Sequence, residues 1–163
     1  DKPMSFRTAA VLGFACAIVS VPTWAASPAQ ERQVLLNLYT STNGAGWTNN
    51  TGWNGAAGTE CTWAGVTCGG TGEHVELIEL GGNHLVGTLP AINALTGLIY
   101  FAVAGNTLSG PLPSLSGLTS LKTHYLHNNQ FTGSIPSLSG LTSLRYFWVI
   151  INFLDGTIPS WVG

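Results

Sequence analysis

The sequence predicts an α/β repeat solenoid with one strand per repeat and a helical cap at its N-terminal end. Three observations carry that prediction. Asparagines recur at a fixed step of 23 residues, at Asn83, Asn106, Asn129 and Asn152. Prolines keep the same step at Pro90, Pro113, Pro136 and Pro159. Ahead of the repeats, Val34, Leu35, Leu38 and Tyr39 form one apolar stripe at helical spacing. Each repeat is too short to bury its own apolar face, so the copies must stack on one another.

Composition narrows the function. The 163-residue chain has a formal net charge of −2, which suits one modest domain and gives no electrostatic reason to expect nucleic acid. Only 7% of residues are charged, against roughly a quarter in ordinary domains. Such a surface is solvated by Ser, Thr, Asn and Gly and binds through largely neutral contacts.

Residues 1–25 read as an export signal. Arg7 follows Met4, an apolar run covers 9–21, and Thr23, Trp24 and Ala25 place small residues before a cleavage point. Asp1, Lys2 and Pro3 precede Met4 and are extraneous to that signal. The run falls short of the roughly 20 residues that span a bilayer, and no membrane span is expected after it. This places the protein outside the cell, secreted or on the cell surface. Removing the signal leaves Cys61 and Cys68 as the only cysteines. An oxidising space favours their pairing, whereas a reducing one would keep two free thiols. Closing a loop of this size is worth about 2.5 kcal/mol in the chain-entropy model. Two thiolates without a histidine pair at finger spacing argue against zinc.

Residues 26–73 read as the cap. Ser27, Pro28, Ala29 and Gln30 form a helix start, with Ser27 placed to cap backbone amides and Pro28 suited to the first turn. The helix should end near Ser41, before an Asn43-Gly44 turn. Beyond it the chain is irregular, with Trp47, Trp53 and Trp63 available to cover the open end of the solenoid, and the run Gly69, Gly70, Thr71, Gly72 supplies a turn into the first repeat.

Residues 74–163 hold four repeats, the last incomplete, beginning at Val75, Leu98, Leu121 and Leu144. Each reads as a short strand with alternating faces, a turn at the asparagine, and a return segment whose apolar residues point inside. The asparagines recur because a stacked amide bonds backbone groups left open where the strand turns away; an unpaired buried group costs about 1–3 kcal/mol. Gly87, Gly110, Gly133 and Gly156 allow the tight return, and the prolines stiffen it.

These motifs resemble a known family. Leu108-Ser109-Gly110-Pro111-Leu112-Pro113, echoed by Phe131-Thr132-Gly133-Ser134-Ile135-Pro136, resembles the plant-type leucine-rich repeat. The segment from Cys61 through Trp63 and Gly65 to Cys68 is similar to the cysteine-paired N-terminal cap of receptor-kinase ectodomains and polygalacturonase-inhibiting proteins. Leu38-Tyr39-Thr40-Ser41-Thr42-Asn43-Gly44, with Trp47, Thr48, Asn49, Asn50 and Thr51, is similar to secreted microbial proteins of the same class. The resemblance runs from about Glu31 to the end. It implies a right-handed superhelix with a parallel concave sheet, and a secreted, non-catalytic module that recognises a protein, peptide or glycan. The alternatives are a structural or adhesive cell-surface spacer, or the N-terminal part of a longer receptor or enzyme.

The strand residues facing away from the core are the candidates for binding. Register places Glu79, Ala102, Tyr125 and Trp148 in one column, with Tyr100 and Tyr146 in another and His127 nearby. Glu79, Tyr100, Tyr125, His127, Tyr146 and Trp148 are therefore the expected partner contacts, because exposed aromatic rings give large contact area with little entropy loss. Stacking of these rings on one another for stability is the competing expectation. His124 and His127 point to opposite faces of a strand and make poor joint metal ligands. His124 replaces Ile78, Phe101 and Phe147 of the other repeats and should face the core. Glu73, Glu76 and Glu79 form an acidic edge without a neighbouring nucleophile, and no phosphate loop, nucleophile elbow or zinc-protease helix occurs. Neither catalysis, cofactor nor metal is expected, and the sequence does not fix the oligomeric state. Ile150 and Ile151 replace the residues usual in this repeat pattern ahead of Asn152, which are polar, and the fourth repeat stops at Gly163 without a cap. A bare terminal strand invites edge pairing, so this end is expected to continue or to be covered by association.

Overall fold

The computed structural model describes residues 29–70 and 74–159. The export segment, the capping residues Ser27 and Pro28, and Thr71 and Gly72 of the expected turn lie outside them. Helix α1 spans Ala29–Ser41 and buries Val34, Leu35 and Leu38, with Tyr39 packed at the edge of the stripe. It ends as the sequence predicts. The Thr42 hydroxyl and amide both donate to the Leu38 carbonyl, and Asn43 then turns the chain through the left-handed region at φ 56°.

The three tryptophans close the end of the core. Trp63 is only 1% exposed. The Trp53 ring lies 4.8 Å from Trp47 and 5.1 Å from Trp63, centroid to centroid. Burial of an indole requires a partner for its N–H. Trp47 donates to the Thr42 carbonyl, Trp53 to the Ala64 carbonyl and Trp63 to the Thr59 hydroxyl, at 2.9, 2.8 and 3.0 Å. A disulfide joins Cys61, in a 3-10 turn over Glu60–Thr62, to Cys68, at the end of strand β1 (Val66–Cys68).

Two buried acids bind α1 to the rest. Glu31 accepts from the Val75 amide at 2.8 Å and meets His74 Nδ1 at 2.9 Å, fixing the helix to the first repeat. Glu60 pairs with Arg32, whose guanidinium also donates to the Gly55 and Ala56 carbonyls and lies over the Trp63 ring.

The repeats wind through two sheets. The first contains β1, β2 (Val75–Glu79), β4 (Tyr100–Ala102), β6 (Thr123–Tyr125) and β8 (Tyr146–Trp148), in that order. The cap strand β1 runs antiparallel to β2, and the four repeat strands are parallel. The return segments, read from the sequence only by their inward apolar residues, form a second parallel sheet of β3 (Val86–Thr88), β5 (Thr107–Pro111), β7 (Gln130–Gly133) and β9 (Phe153–Leu154). Registers differ between the sheets. Ile78, Phe101, His124 and Phe147 align at the repeat step of 23, whereas Val86 pairs with Thr107, Ser109 with Gln130 and Thr132 with Phe153, each 21 apart.

The asparagines link successive coils. Asn106 Oδ1 accepts from the Asn83 and Leu85 amides at 3.0 and 2.9 Å, and its Nδ2 donates to the Leu80 and Val103 carbonyls. Asn129 and Asn152 repeat the pattern, bonding the Leu108 and Phe131 amides. Gly87 has φ 125°, and a side chain there would run into the Ser41 carbonyl at the end of α1. Gly110 and Gly133 also have positive φ, but Gly156, expected to act alike, is not among the positive-φ glycines. The core between the sheets is dense in the first three coils and thins in the fourth, where Phe147, Val149 and Leu154 are only partly covered. Ile150, Ile151, Phe153 and Ile158 are more than 60% exposed at that end. No helix among the described residues is long and apolar enough to cross a membrane.

Candidate ligand-binding face

The outward residues of the five-stranded sheet stand in columns because the parallel register matches the repeat. Glu79, Ala102, Tyr125 and Trp148 are direct partners across β2, β4, β6 and β8, and Leu77, Tyr100, Thr123 and Tyr146 form the adjacent column. The Tyr125 ring lies 5.1 Å from Trp148 at a tilt of 32° and meets Tyr100 edge-on at 5.9 Å. His127 packs against both Tyr125 and Trp148, at 6.0 and 5.5 Å. Its Nδ1 is buried without a hydrogen-bond partner.

Glu79 joins this cluster through a hydrogen bond rather than through contact in its own column. Tyr100 donates its phenol to Glu79 Oε2 at 2.6 Å, and the Gly81 amide donates to Oε1 at 3.0 Å. Burial, reinforced by the Glu79 carboxylate, pushes the Tyr100 phenol up to about 12, so it remains a donor and holds the acid in place. Ala102 does not face solvent as expected. It is 2% exposed, sunk between the larger side chains of its column and the adjoining tyrosine pair. Tyr146 stands outside the ring cluster, separated from Tyr100 by Thr123. It is half exposed, as is Trp148.

Two concavities flank the cluster, and neither was legible in the sequence. A polar one of about 160 Å³ lies between cap and first repeat, lined by Asn49, Ala64, Gly65, Glu79, Leu80, Gly81 and Asn83. An apolar one of about 290 Å³ lies at the other end, where Tyr146 and Trp148 of β8 meet Ile135, Leu138, Ile158 and Pro159 of the return segments, with Arg145 at its edge. Both are assembled from residues far apart along the chain.

His124 sits on the core side of the same strand. Its ring is sandwiched between Phe101 and Phe147 at 5.3 and 5.6 Å, its Nδ1 has no partner, and burial pushes its pKa down to about 3. It is held as a neutral ring in the core. No group of three or more His, Cys, Asp or Glu among the described residues is placed to hold a metal ion.

No family model and no curated protein matches the chain. Solved structures do. The BIR2 ectodomain from Arabidopsis thaliana is 27% identical with a TM-score of 0.70, over 79% of this chain and 71% of that one. PEPR1, in the structure of PEPR1–AtPEP1, is 28% identical with a TM-score of 0.70 over 80% of this chain. The Arabidopsis receptor kinase HAESA, in complex with the peptide hormone IDA and the co-receptor SERK1, is 26% identical with a TM-score of 0.67 over 81% of this chain. The chain spans 19% of the length of PEPR1 and 23% of that of HAESA. It thus has the leucine-rich repeat solenoid fold, with a disulfide-closed cap, and is similar to plant-type receptor ectodomains.

Proposed function

We propose that this chain is a non-catalytic recognition module, secreted or displayed on the cell surface, that binds a peptide, protein or glycan on its five-stranded sheet. Glu79, Tyr100, Tyr125, His127, Tyr146 and Trp148 are its contact residues. The observation that carries this reading is the cluster of Tyr100, Tyr125 and Trp148 across three strands, with half of Trp148 left open, on a chain that is only 7% charged. Likeness to ectodomains such as HAESA, whose structure contains a peptide hormone, supports it. Four parallel strands make a face under about 20 Å wide, a width suited to a peptide or short glycan.

The test is capture of ligands from peptide and glycan arrays by the protein and by a Tyr125→Ala/Trp148→Ala variant. Recognition predicts loss of captured ligands by the variant with its cap fold intact. Mutual contact of the rings favours one rival, a spacer whose aromatics only brace neighbouring strands. That rival predicts lowered stability with no array signal to lose.

A further inference from the structure

The fourth coil differs from the three before it. Of the large apolar side chains left exposed among the described residues, all but Val86 belong to it. Some of them are more than uncovered core. Ile150, Ile151 and Phe153 stand at outward positions that His127, Asn128 and Gln130 hold in the third coil and Ala104, Gly105 and Thr107 in the second. Ile151 has φ 57°, in the left-handed region that Gly82, Gly105 and Asn128 occupy at the same step of their coils. A β-branched residue is strained there, and at 69% exposure no burial offsets the strain. Such strain points to a contact made at this corner. The strands of this coil, β8 and β9, are also the edges of their sheets. Tyr146 and Trp148 direct their backbone groups to the third coil, bonding the Lys122 carbonyl and the Leu126 amide at 3.0 and 2.8 Å, so alternation turns those of Phe147 and Val149 to the open edge. On the return wall the Asp155 amide bonds back to the Gly133 carbonyl at 3.1 Å, which turns Leu154 and Asn152 to the open edge in the same way. Arg145 and Asp155 flank the two strands, both exposed and without a side-chain partner among the described residues.

We propose that this end of the solenoid binds a second copy of the chain about a two-fold axis, β8 of each copy pairing antiparallel with β9 of the other. The two walls of a coil run in opposite directions. A two-fold axis lying along the strands in the plane of the end therefore sets each edge beside the opposite wall of the other copy, in the antiparallel sense. One register fits the edge groups, the side chains and the charges together. Phe147 and Val149 exchange hydrogen bonds with the partner's Leu154 and the partner's Asn152. Trp148 falls opposite the partner's Phe153 on the outer face, and Ile150 opposite the partner's Ile151 at the corner. Phe147 and Leu154, only partly covered in one copy, meet inside and join the two cores. Tyr146 falls opposite the partner's Asp155, which brings Arg145 beside that acid, and symmetry makes each pair twice. A lone strand from another protein would pair one edge and leave the other bare, whereas a second copy supplies both edges and both charges. The size agrees. Six side chains of this coil are more than half exposed; at roughly 100–150 Å² each they offer about 600–900 Å² per copy, against the about 800 Å² per partner of a stable interface. The pairing covers the edge of Trp148 and leaves the outer face of the five-stranded sheet open to a ligand.

The experiment begins with sedimentation velocity of the purified chain over a concentration series, which should show a monomer–dimer equilibrium. The pairing is then tested by disulfide trapping. Trp148 and the partner's Phe153 form a non-hydrogen-bonded pair with Cα atoms about 4.5 Å apart, within disulfide reach. Trp148→Cys mixed with Phe153→Cys should therefore give a covalent heterodimer on oxidation, roughly tenfold more than either variant alone. Arg145→Asp should weaken dimerisation roughly threefold to tenfold by setting acid against acid, and Arg145→Asp/Asp155→Arg should restore it. That rescue separates a lost charge contact from a damaged fold. A chain that stays monomeric up to about 100 μM overturns the inference. So does a dimer that Trp148→Cys traps with itself, which sets β8 beside the partner's β8, and so does a dimer indifferent to Arg145→Asp.

Discussion

Replacing Asn106 with alanine tests whether the asparagine ladder holds the coils together. Its Oδ1 is the acceptor for two amides, Asn83 and Leu85, and its Nδ2 bonds the Leu80 and Val103 carbonyls, all in a setting where the side chain is 9% exposed. Val103 keeps a second donor, because Asn129 Nδ2 also bonds its carbonyl at 2.9 Å. The unavoidable losses are therefore three, the two stranded amides and the Leu80 carbonyl. At about 1–3 kcal/mol for each unmade buried bond, Asn106→Ala should cost about 3–9 kcal/mol, a large part of a typical domain's stability. Asn152 offers an internal control. Its Oδ1 serves one amide, that of Phe131, and its surroundings are more open. Asn152→Ala should cost about 1–2 kcal/mol. Urea unfolding followed by circular dichroism at 222 nm would measure both, with the tryptophan cap as a second probe. Equal losses for the two variants, or a loss under about 1 kcal/mol at Asn106, would refute the ladder as the principal bond between coils.

Two further perturbations address the core. His124 binds its proton far less readily folded, at about 3, than unfolded, near 6.5. Below pH 6.5 the unfolded state therefore holds the extra proton, and stability should fall by about 1.4 kcal/mol per pH unit down toward pH 3, with no contribution above 6.5. Urea midpoints at pH 7.5 and 5 should show this drop in the native chain, and His124→Phe, which continues the Phe101 and Phe147 stack, should remove it. Trp63→Ala deletes the most buried ring of the cap, its bond to Thr59 and the surface beneath Arg32. It should cost about 3–5 kcal/mol, and hydrogen exchange should rise first in α1 and β1.

The solenoid was legible because repetition multiplies a weak signal: one asparagine means little, but four in register specify a stacked ladder. The tryptophan closure was legible for a related reason, since three indoles in an irregular segment have few other places to go. What the sequence hid depends on distance. Glu31 and His74 are 43 positions apart and Arg32 and Glu60 are 28 apart, so nothing local marks either pair. Strand alternation placed Ala102 outside, but a methyl group between tyrosines is covered by its neighbours. Of the candidate site, the aromatic column followed from register alone. The Tyr100–Glu79 bond and the two flanking concavities depend on side-chain reach and on return segments whose second sheet has its own register.

That second register supports the proposal that ligand contacts lie on one sheet and not on the other. On the five-stranded sheet equivalent residues of successive repeats are direct neighbours, so a chain crossing the strands meets one position per repeat and each can vary independently. On the four-stranded sheet each coil is displaced by two residues, about 6.6 Å, so Thr107 faces Val86, and Ser109 faces both Thr88 and Gln130. Equivalent positions never align there. Two of its hydroxyls are also engaged: Thr107 donates to the Leu85 carbonyl and Ser109 to that of Gly87, at 3.1 and 3.3 Å. Side chains that bond the preceding coil brace the stack and are poorly placed to discriminate a ligand. Among the described residues the outward groups of the five-stranded sheet, apart from Glu79 with Tyr100, make no such bonds to the next coil, and their chemistry changes along the solenoid from Glu79 to Tyr125 and Trp148.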